Sequence, residues 1–231
     1  MDDLTLPEIA DMCGGVLSGN ATACTVRRIS KDTRTLVPGD LYLALRGENH
    51  DGNLHAKEAV SKGAVAAILD KARQDLPSDF PVITVDDSLA ALHRLAATWR
   101  DRLALKVVCI TGSSGKTSTK EFAAAVLGTR FRVVKTQGNL NNHIGLPLSI
   151  LSASMSDDVA VWEIGMNHPG EIAPLAALAR PDLAMVTNIG VAHIEYMGSR
   201  EAIAREKARW CRQSVKMAVW CSRPPMILRT F

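Results

Sequence analysis

Aromatic residues are scarce, at 4% of the 231-residue chain, and the net charge is only +3 from 27 basic and 24 acidic side chains. With so few stacking surfaces and so little excess positive charge, no nucleic-acid partner is expected. No apolar run approaches the roughly 18 to 20 residues of a membrane span. The N-terminal Met1-Asp2-Asp3-Leu4-Thr5-Leu6-Pro7 has neither a basic nor an apolar leader region, so no membrane span and a cytoplasmic location are expected. The five cysteines, Cys13, Cys24, Cys109, Cys211 and Cys221, are odd in number and never spaced as Cys-x-x-Cys. Neither a disulfide frame nor a zinc site is suggested. Internal repeats and low-complexity segments are absent too. What remains is a globular balance of 47% hydrophobic and 22% charged residues, enough for one large domain or two modest ones.

The first segment, to about residue 85, mixes short apolar runs with helical spacing. Asp40–Leu45, Ala64–Leu69 and Pro81–Val85 read as strands, Leu54–Gly63 as a helix, and Pro38-Gly39 as a turn. Asp86-Asp87-Ser88 supplies N-cap candidates for a helix to about Arg102, and a domain boundary is expected near residue 86. Strands and helices then alternate: strand Val107–Thr111, helix Lys116–Leu127, strand Val159–Ile164, helix Glu171–Ala179, strand Leu183–Thr187, helix Arg200–Lys207. That alternation predicts an α/β protein with a parallel sheet in the second segment.

The strongest chemical signal is an apolar strand running into Gly112-Ser113-Ser114-Gly115-Lys116-Thr117-Ser118 at the head of a helix. Small residues let backbone N–H groups converge on phosphate oxygens, and the helix N-terminus adds partial positive charge. Lys116 can reach the terminal phosphates and the Thr117 hydroxyl can ligate Mg2+. Ile110 stands where a full Walker pattern has its first glycine, so an ordinary strand-to-helix turn is the alternative. Thr136–Pro147 and Gly165–Glu171 are polar, glycine-broken loops. Glu163 closes a buried strand where open α/β sheets bind ligands; it serves magnesium there or pairs with a lysine. His193 follows the next strand and is either structural or a ligand to metal or substrate. Lys207, on a helix, reads by itself as solvated.

Together these motifs resemble the Mur ligases, ATP-dependent enzymes that extend the UDP-muramoyl peptide of bacterial cell-wall precursors. The matching stretches are Gly112–Glu121, Gly138–Leu148, Glu163–Ile172 and Ala192-His193. In the first segment they are Asp32-Thr33-Arg34, Pro38–Leu41, Ala44–Glu48 and Asp51-Gly52. Within the family they are most similar to the branch that joins D-alanyl-D-alanine to UDP-N-acetylmuramoyl-tripeptide. The resemblance implies a small N-terminal α/β domain for the UDP substrate (1–85) and an incomplete parallel-sheet P-loop ATPase domain (86–207), in a monomer. It implies ATP on Gly112–Ser118, with Lys116 on the transferred phosphate, Thr117 and Glu163 on Mg2+, and His193 on a second Mg2+. Lys207 falls where these ligases carry a lysine carbamate, a metal-binding or phosphate-orienting anion, so Lys116, His193 and Lys207 form the implied catalytic group. Thr33 and Arg34 fall at the UDP half of the substrate. Asn139, Asn142, Asn167 and His168 fall at further substrate positions.

The resemblance stops after Lys207. From Ala208 to Phe231 there are five basic residues and no acid, leaving 22 bases against 24 acids before it. Trp210, Trp220, Ile227, Leu228 and Phe231 have no evident partner layer, so 208–231 is expected to be an unpatterned, non-family tail. Mur ligases also continue into a third domain, so weak Mg-ATP binding without ligation is expected of this chain. A stand-alone nucleotide- or UDP-sugar-binding protein is the alternative. A reading-frame slip would account for the tail. Restoring one base after Lys207 and regrouping allowed codons reads Lys-Gly-Glu-Met-Val-Pro-Ala-Lys-Arg-Glu-Asp-Gly-Gly-Val-Val-Leu, as the family continues. Sequencing the gene tests this: an open, family-like frame downstream is expected, and a stop-interrupted one contradicts it.

Overall fold

The computed structural model describes residues 1–21, 24–71, 73 and 75–209, and the backbone of Met217–Trp220. The chain divides into two units, Met1–Arg102 and Leu103–Phe231. The change of pattern near residue 86 marks the start of a helix, and the division falls at that helix's end.

In chain order the first unit contains β1 (Leu4–Thr5), α1 (Leu6–Cys13), β2 (Val16–Ser18), β3 (Thr25–Val26), β4 (Ile29–Ser30) and β5 (Leu41–Leu43). There follow β6 (Arg46–Gly47), β7 (His50–Asp51), α2 (Ala56–Ser61), β8 (Ala66–Leu69), β9 (Val82–Thr84) and α3 (Ser88–Arg102). Thr5 starts α1 with a capping box: its N–H donates to Glu8 Oε2 at 2.9 Å and its hydroxyl accepts from Glu8 N–H at 3.4 Å. Leu6, Ile9, Ala10 and Cys13 form the buried stripe of α1, which packs against α3 with its buried Leu92, Leu95, Ala96 and Trp99. The sheet runs β2-β9-β8-β5-β4, parallel except for β2 at one edge. Every residue of β5 and β8 is buried, which explains their unbroken apolar sequences. The two- and three-residue strands β1 to β4, β6 and β7 are too short to show a period.

The second unit contains β10 (Lys106–Thr111), α4 (Lys116–Leu127), β11 (Val133–Lys135), α5 (Gly145–Leu151), β12 (Val159–Glu163) and α6 (Ile172–Ala179). It continues with β13 (Leu183–Val186), α7 (Ile194–Met197), α8 (Arg200–Arg209) and β14 (Met217–Trp220). All five strands are parallel, in the order β11-β12-β10-β13-β14. The chain builds β11 and β12 on one side of β10 and then β13 and β14 on the other, so β10 lies at the topological switch point, where open α/β sheets open a crevice at their C-terminal ends. Ile110, Val159, Val161 and Ala124 form the core beneath α4. The alternate residues Val107, Cys109, Ala160 and Trp162 are also fully buried. The loop expected over 136–147 ends earlier than read, because Gly145 already begins α5 and Pro147 fits its first turn, where no intrahelical N–H is needed. The expected unpatterned tail meets one described segment, β14, whose backbone pairs with β13. Residues 210–216 and 221–231, and the side chains of Trp210, Trp220, Ile227, Leu228 and Phe231, lie outside the described residues. Among the described residues no helix is long and apolar enough to cross a membrane.

Tyr42 provides a stability test. It is buried among Ala44, Ala56, Ala59, Ala67 and Leu69, and its hydroxyl donates to the Gly52 carbonyl at 2.9 Å. Burial, reinforced by the charges of Glu58, Asp32 and Asp51, pushes its pKa up to about 12. Tyr42→Phe leaves that carbonyl without its partner and should cost about 1 kcal/mol at neutral pH. The folded hydroxyl keeps its proton to about pH 12, whereas an unfolded tyrosine loses it near pH 10. This stabilisation is complete below about pH 10 and is lost as the pH rises towards 12, in the wild type alone. Urea denaturation should therefore show the deficit of Tyr42→Phe shrinking over that window; a constant deficit contradicts the assignment.

Candidate functional site at the C-terminal edge of the second sheet

Strand β10 ends at Thr111 and the chain turns through Gly112–Gly115 into α4. Gly112 has φ +153°, and a Cβ there would lie 1.8 Å from Thr187 Oγ1, so only glycine passes this point. The loop is tied to the end of β13. Ser113 and Ser114 N–H donate to Asn188 Oδ1 at 3.1 and 3.0 Å, Thr187 Oγ1 donates to the Ser114 carbonyl at 2.6 Å, and Gly190 N–H donates to Ser113 Oγ at 2.9 Å. Gly115 is the N-cap of α4 and makes no side-chain cap. The first-turn N–H groups thus face the loop without a protein acceptor supplied by the cap, the arrangement that receives an anion. Lys116 folds back over the same loop, its Nζ donating to the Gly112 carbonyl at 3.1 Å.

Register places the acid. Ile110 of β10 sits opposite Glu163 of β12, bringing that carboxylate to the loop's level. Glu163 is 2% exposed and is held by neutral groups: Thr117 Oγ1 donates to Oε2 at 2.9 Å and Asn141 Nδ2 to Oε1 at 2.7 Å. Its own N–H donates to Thr136 Oγ1 at 2.9 Å. A buried carboxylate without an ion-pair partner among the described residues, beside a hydroxyl in the first turn of α4, is a hard-oxygen donor set suited to Mg2+. The lysine pairing left open from sequence is not what forms here.

The other expected residues distribute unevenly. Lys207, read alone as solvated, is 3% exposed on α8. Burial, then repulsion from Lys116, pushes its pKa down to about 8 against the attraction of Glu206, so Lys207 and Lys116 share one electrostatic environment. His193 is exposed, has φ +61° and caps α7. Among the described residues no three His, Cys, Asp or Glu side chains gather around a metal position. Asn142 Oδ1 accepts from Ile144 and Gly145 N–H at 3.1 and 2.8 Å, closing the turn that leads into α5, while Asn139 is exposed. Asn167 and His168 donate their N–H groups to Glu171 Oε2 at 2.6 and 3.2 Å, and the His168 ring meets Tyr196 at 4.6 Å between centroids. Burial raises the Glu171 pKa, but these two N–H groups and the His168 side chain outweigh it, leaving the carboxyl below its ordinary value.

In the first unit, Thr33 is buried and its carbonyl accepts from Lys62 Nζ at 2.9 Å. Arg34 is exposed and forks onto Asp32, and its side-chain and backbone bonds hold the Asp32 carboxyl well below the usual range. Sequence reasoning missed Asn141, Thr136 and Asn188 as site groups. Thr136 and Asn141 lie in a loop flagged as polar and Asn188 directly follows the strand read over Leu183–Thr187, but nothing in the run Asn139-Leu140-Asn141-Asn142 distinguishes the asparagine that meets Glu163 from those that do not.

Two family models match the chain: the Mur ligase family catalytic domain over residues 25–100 and the Mur ligase middle domain over 110–224, past the point where the motifs end. The UDP-N-acetylmuramoyl-tripeptide–D-alanyl-D-alanine ligase of Bacillus subtilis is 44% identical over 204 residues, covering 88% of this chain and 45% of that protein. The ligase of the same description from Escherichia coli is 41% identical over 207 residues, covering 90% of this chain and 45% of its own. Among solved structures, MurF from Acinetobacter baumannii superposes with a TM-score of 0.86 at 32% identity, covering 95% of this chain and 49% of that one. MurF from Thermotoga maritima in complex with ADP gives 0.73 at 35% identity, covering 84% and 45%. The chain spans about half the length of the relatives it matches. With both units matched by family models and a 44% identical relative over 88% of its length, the chain belongs to the Mur ligase family.

Proposed function

We propose that these residues serve the ATP-dependent joining of D-alanyl-D-alanine to UDP-N-acetylmuramoyl-tripeptide, in the cytoplasm, by a monomer, with residues outside this chain completing the enzyme. The observation that carries the reading is the 2.9 Å bond between Thr117, inside the phosphate loop, and the buried Glu163 carboxylate. In this reading the tripeptide carboxylate attacks the terminal phosphorus of ATP, releasing ADP and forming an acyl phosphate. The amine of D-alanyl-D-alanine then attacks the acyl carbon, phosphate leaves, and the amine loses a proton. Such a reaction needs positioning and charge compensation at phosphate more than a protein nucleophile.

The loop N–H groups orient the phosphates, and Lys116 exchanges its bond to the Gly112 carbonyl for one to the transferred phosphate. Thr117 and Glu163 would hold Mg2+. When bound, the ion would offset charge on the phosphate oxygens as the bond to the leaving group breaks. His193 is assigned to a second Mg2+. Lys207, with its pKa near 8, is the amine assigned to carbamate formation: the ammonium gives up one proton, the neutral nitrogen adds to CO2 and loses a second, and a buried cation becomes an anion beside Lys116. Thr33 and Arg34 are assigned to the UDP half of the substrate in residues 1–85, with 86–207 as the ATP-binding domain. Asn139, Asn142, Asn167 and His168 are assigned to the remainder. Asn142 spends its carboxamide oxygen on α5 and keeps its NH2 for substrate.

Calorimetric titration of the 231-residue chain with Mg-ATP tests the site. Lys116→Ala should weaken binding about 10-fold or more, the value of a charge-assisted bond to phosphate. Gly112→Ala should do the same without removing a charge, because the added Cβ displaces the loop from Thr187. Wild-type affinity in both variants overturns the assignment.

A further inference from the structure

The buried charge on α4 that the reaction does not use is Lys120. It lies one turn beyond Thr117, is 1% exposed, and its Nζ donates to the Thr136 carbonyl at 2.9 Å. Its counter-ion is Glu121, 3.1 Å away and half exposed, which also pairs with Lys135 just before Thr136. An ammonium in this position has a desolvation cost that an apolar side chain would avoid, so packing alone does not account for it.

Its partner does a second job. The Thr136 carbonyl takes Lys120, while the Thr136 hydroxyl accepts the N–H of Glu163 at 2.9 Å. Glu163 returns to α4 through Thr117, at 2.9 Å. A closed circuit results: α4 to the end of β11 through Lys120, β11 to β12 through Thr136, and β12 back to α4 through Glu163 and Thr117. Past Thr136 the chain carries Asn141, which takes the other Glu163 oxygen at 2.7 Å.

We infer that Lys120 is a positioning residue: by anchoring Thr136 to α4 it sets the Glu163 carboxylate against Thr117, and so tunes the divalent-cation affinity of the nucleotide site without touching nucleotide. The inference rests on the phosphate-loop reading above. Cutting the Lys120 link leaves the loop amides and Lys116 in place but frees the acid, so the defect falls on cation dependence.

The test is ATP titration of the 231-residue chain in EDTA and across a Mg2+ series. Lys120→Met should leave affinity in EDTA within about twofold while lowering the enhancement by Mg2+ about fivefold, the effect of one net hydrogen bond. Lys120→Arg should recover part of it. In a Glu163→Gln background Lys120→Met should add less than about twofold, because it acts through that carboxylate. Amide exchange at Glu163 and over 136–142 should rise in Lys120→Met without nucleotide, a readout independent of ATP. Thr136→Val, which keeps volume and removes the hydroxyl, should reproduce the cation defect and carries the test if Lys120→Met does not fold. A wild-type Mg2+ response in the folded variants overturns the inference, as does equal weakening with and without Mg2+. No ATP binding by the wild type in either condition overturns the phosphate-loop reading and this inference with it.

Discussion

The candidate site of the second unit is built around a buried carboxylate that has no ion-pair partner among the described residues. Glu163 ends the innermost run of β12, accepts from Thr117 and Asn141, and binds Thr136 through its backbone N–H. Hydroxyl and amide donors keep such a group in place but leave most of its charge uncompensated, which favours arrival of a divalent cation. The parallel sheet makes the arrangement possible. Pairing of Ile110 with Glu163 and Thr111 with Val186 brings the phosphate loop, the acid and the Thr187-Asn188 pair to one level at the switch point.

The same economy appears around the loop itself. Asn188 satisfies two loop N–H groups with one oxygen, and the Thr187 hydroxyl occupies the space beside Gly112 where a side chain would otherwise stand. Loop shape is therefore borrowed from β13 rather than generated by the loop alone. On the far side, Glu206 of α8 accepts from Gly170 and Ile172 N–H at 3.0 and 3.4 Å, holding the start of α6 while its neighbour Lys207 stays buried near Lys116. Helices and strands distant in sequence fix each other through single side chains.

The large elements were legible because each carries its own period. β10, α4, β12, α6, β13 and α8 lie within a residue or two of where apolar spacing puts them, and the phosphate loop is visible as small residues between strand and helix. Three kinds of information were not local. Chain pairing decides which of Asn139, Asn141 and Asn142 meets Glu163. Burial decides whether a lysine such as Lys207 or Lys120 is solvated. The two- and three-residue strands of the first unit exist through their partners, and α5 begins inside a stretch that reads as loop because its glycine and proline suit a first turn as well as a turn. Family resemblance, not the pattern of its own helix, singled out Lys207.

The central claim is that Thr117 and Glu163 together form the cation position of a phosphate-loop nucleotide site. Its most direct test is to crystallise the 231-residue chain with a non-hydrolysable ATP analogue and Mn2+, and to locate the ion by anomalous scattering. The account predicts a strong peak within about 2.2 Å of Thr117 Oγ1, with Glu163 bound directly or through one ordered water and the terminal phosphates along Gly112–Ser118. An ion bound elsewhere, with Thr117 and Glu163 still hydrogen-bonded to each other beneath the nucleotide, would contradict it.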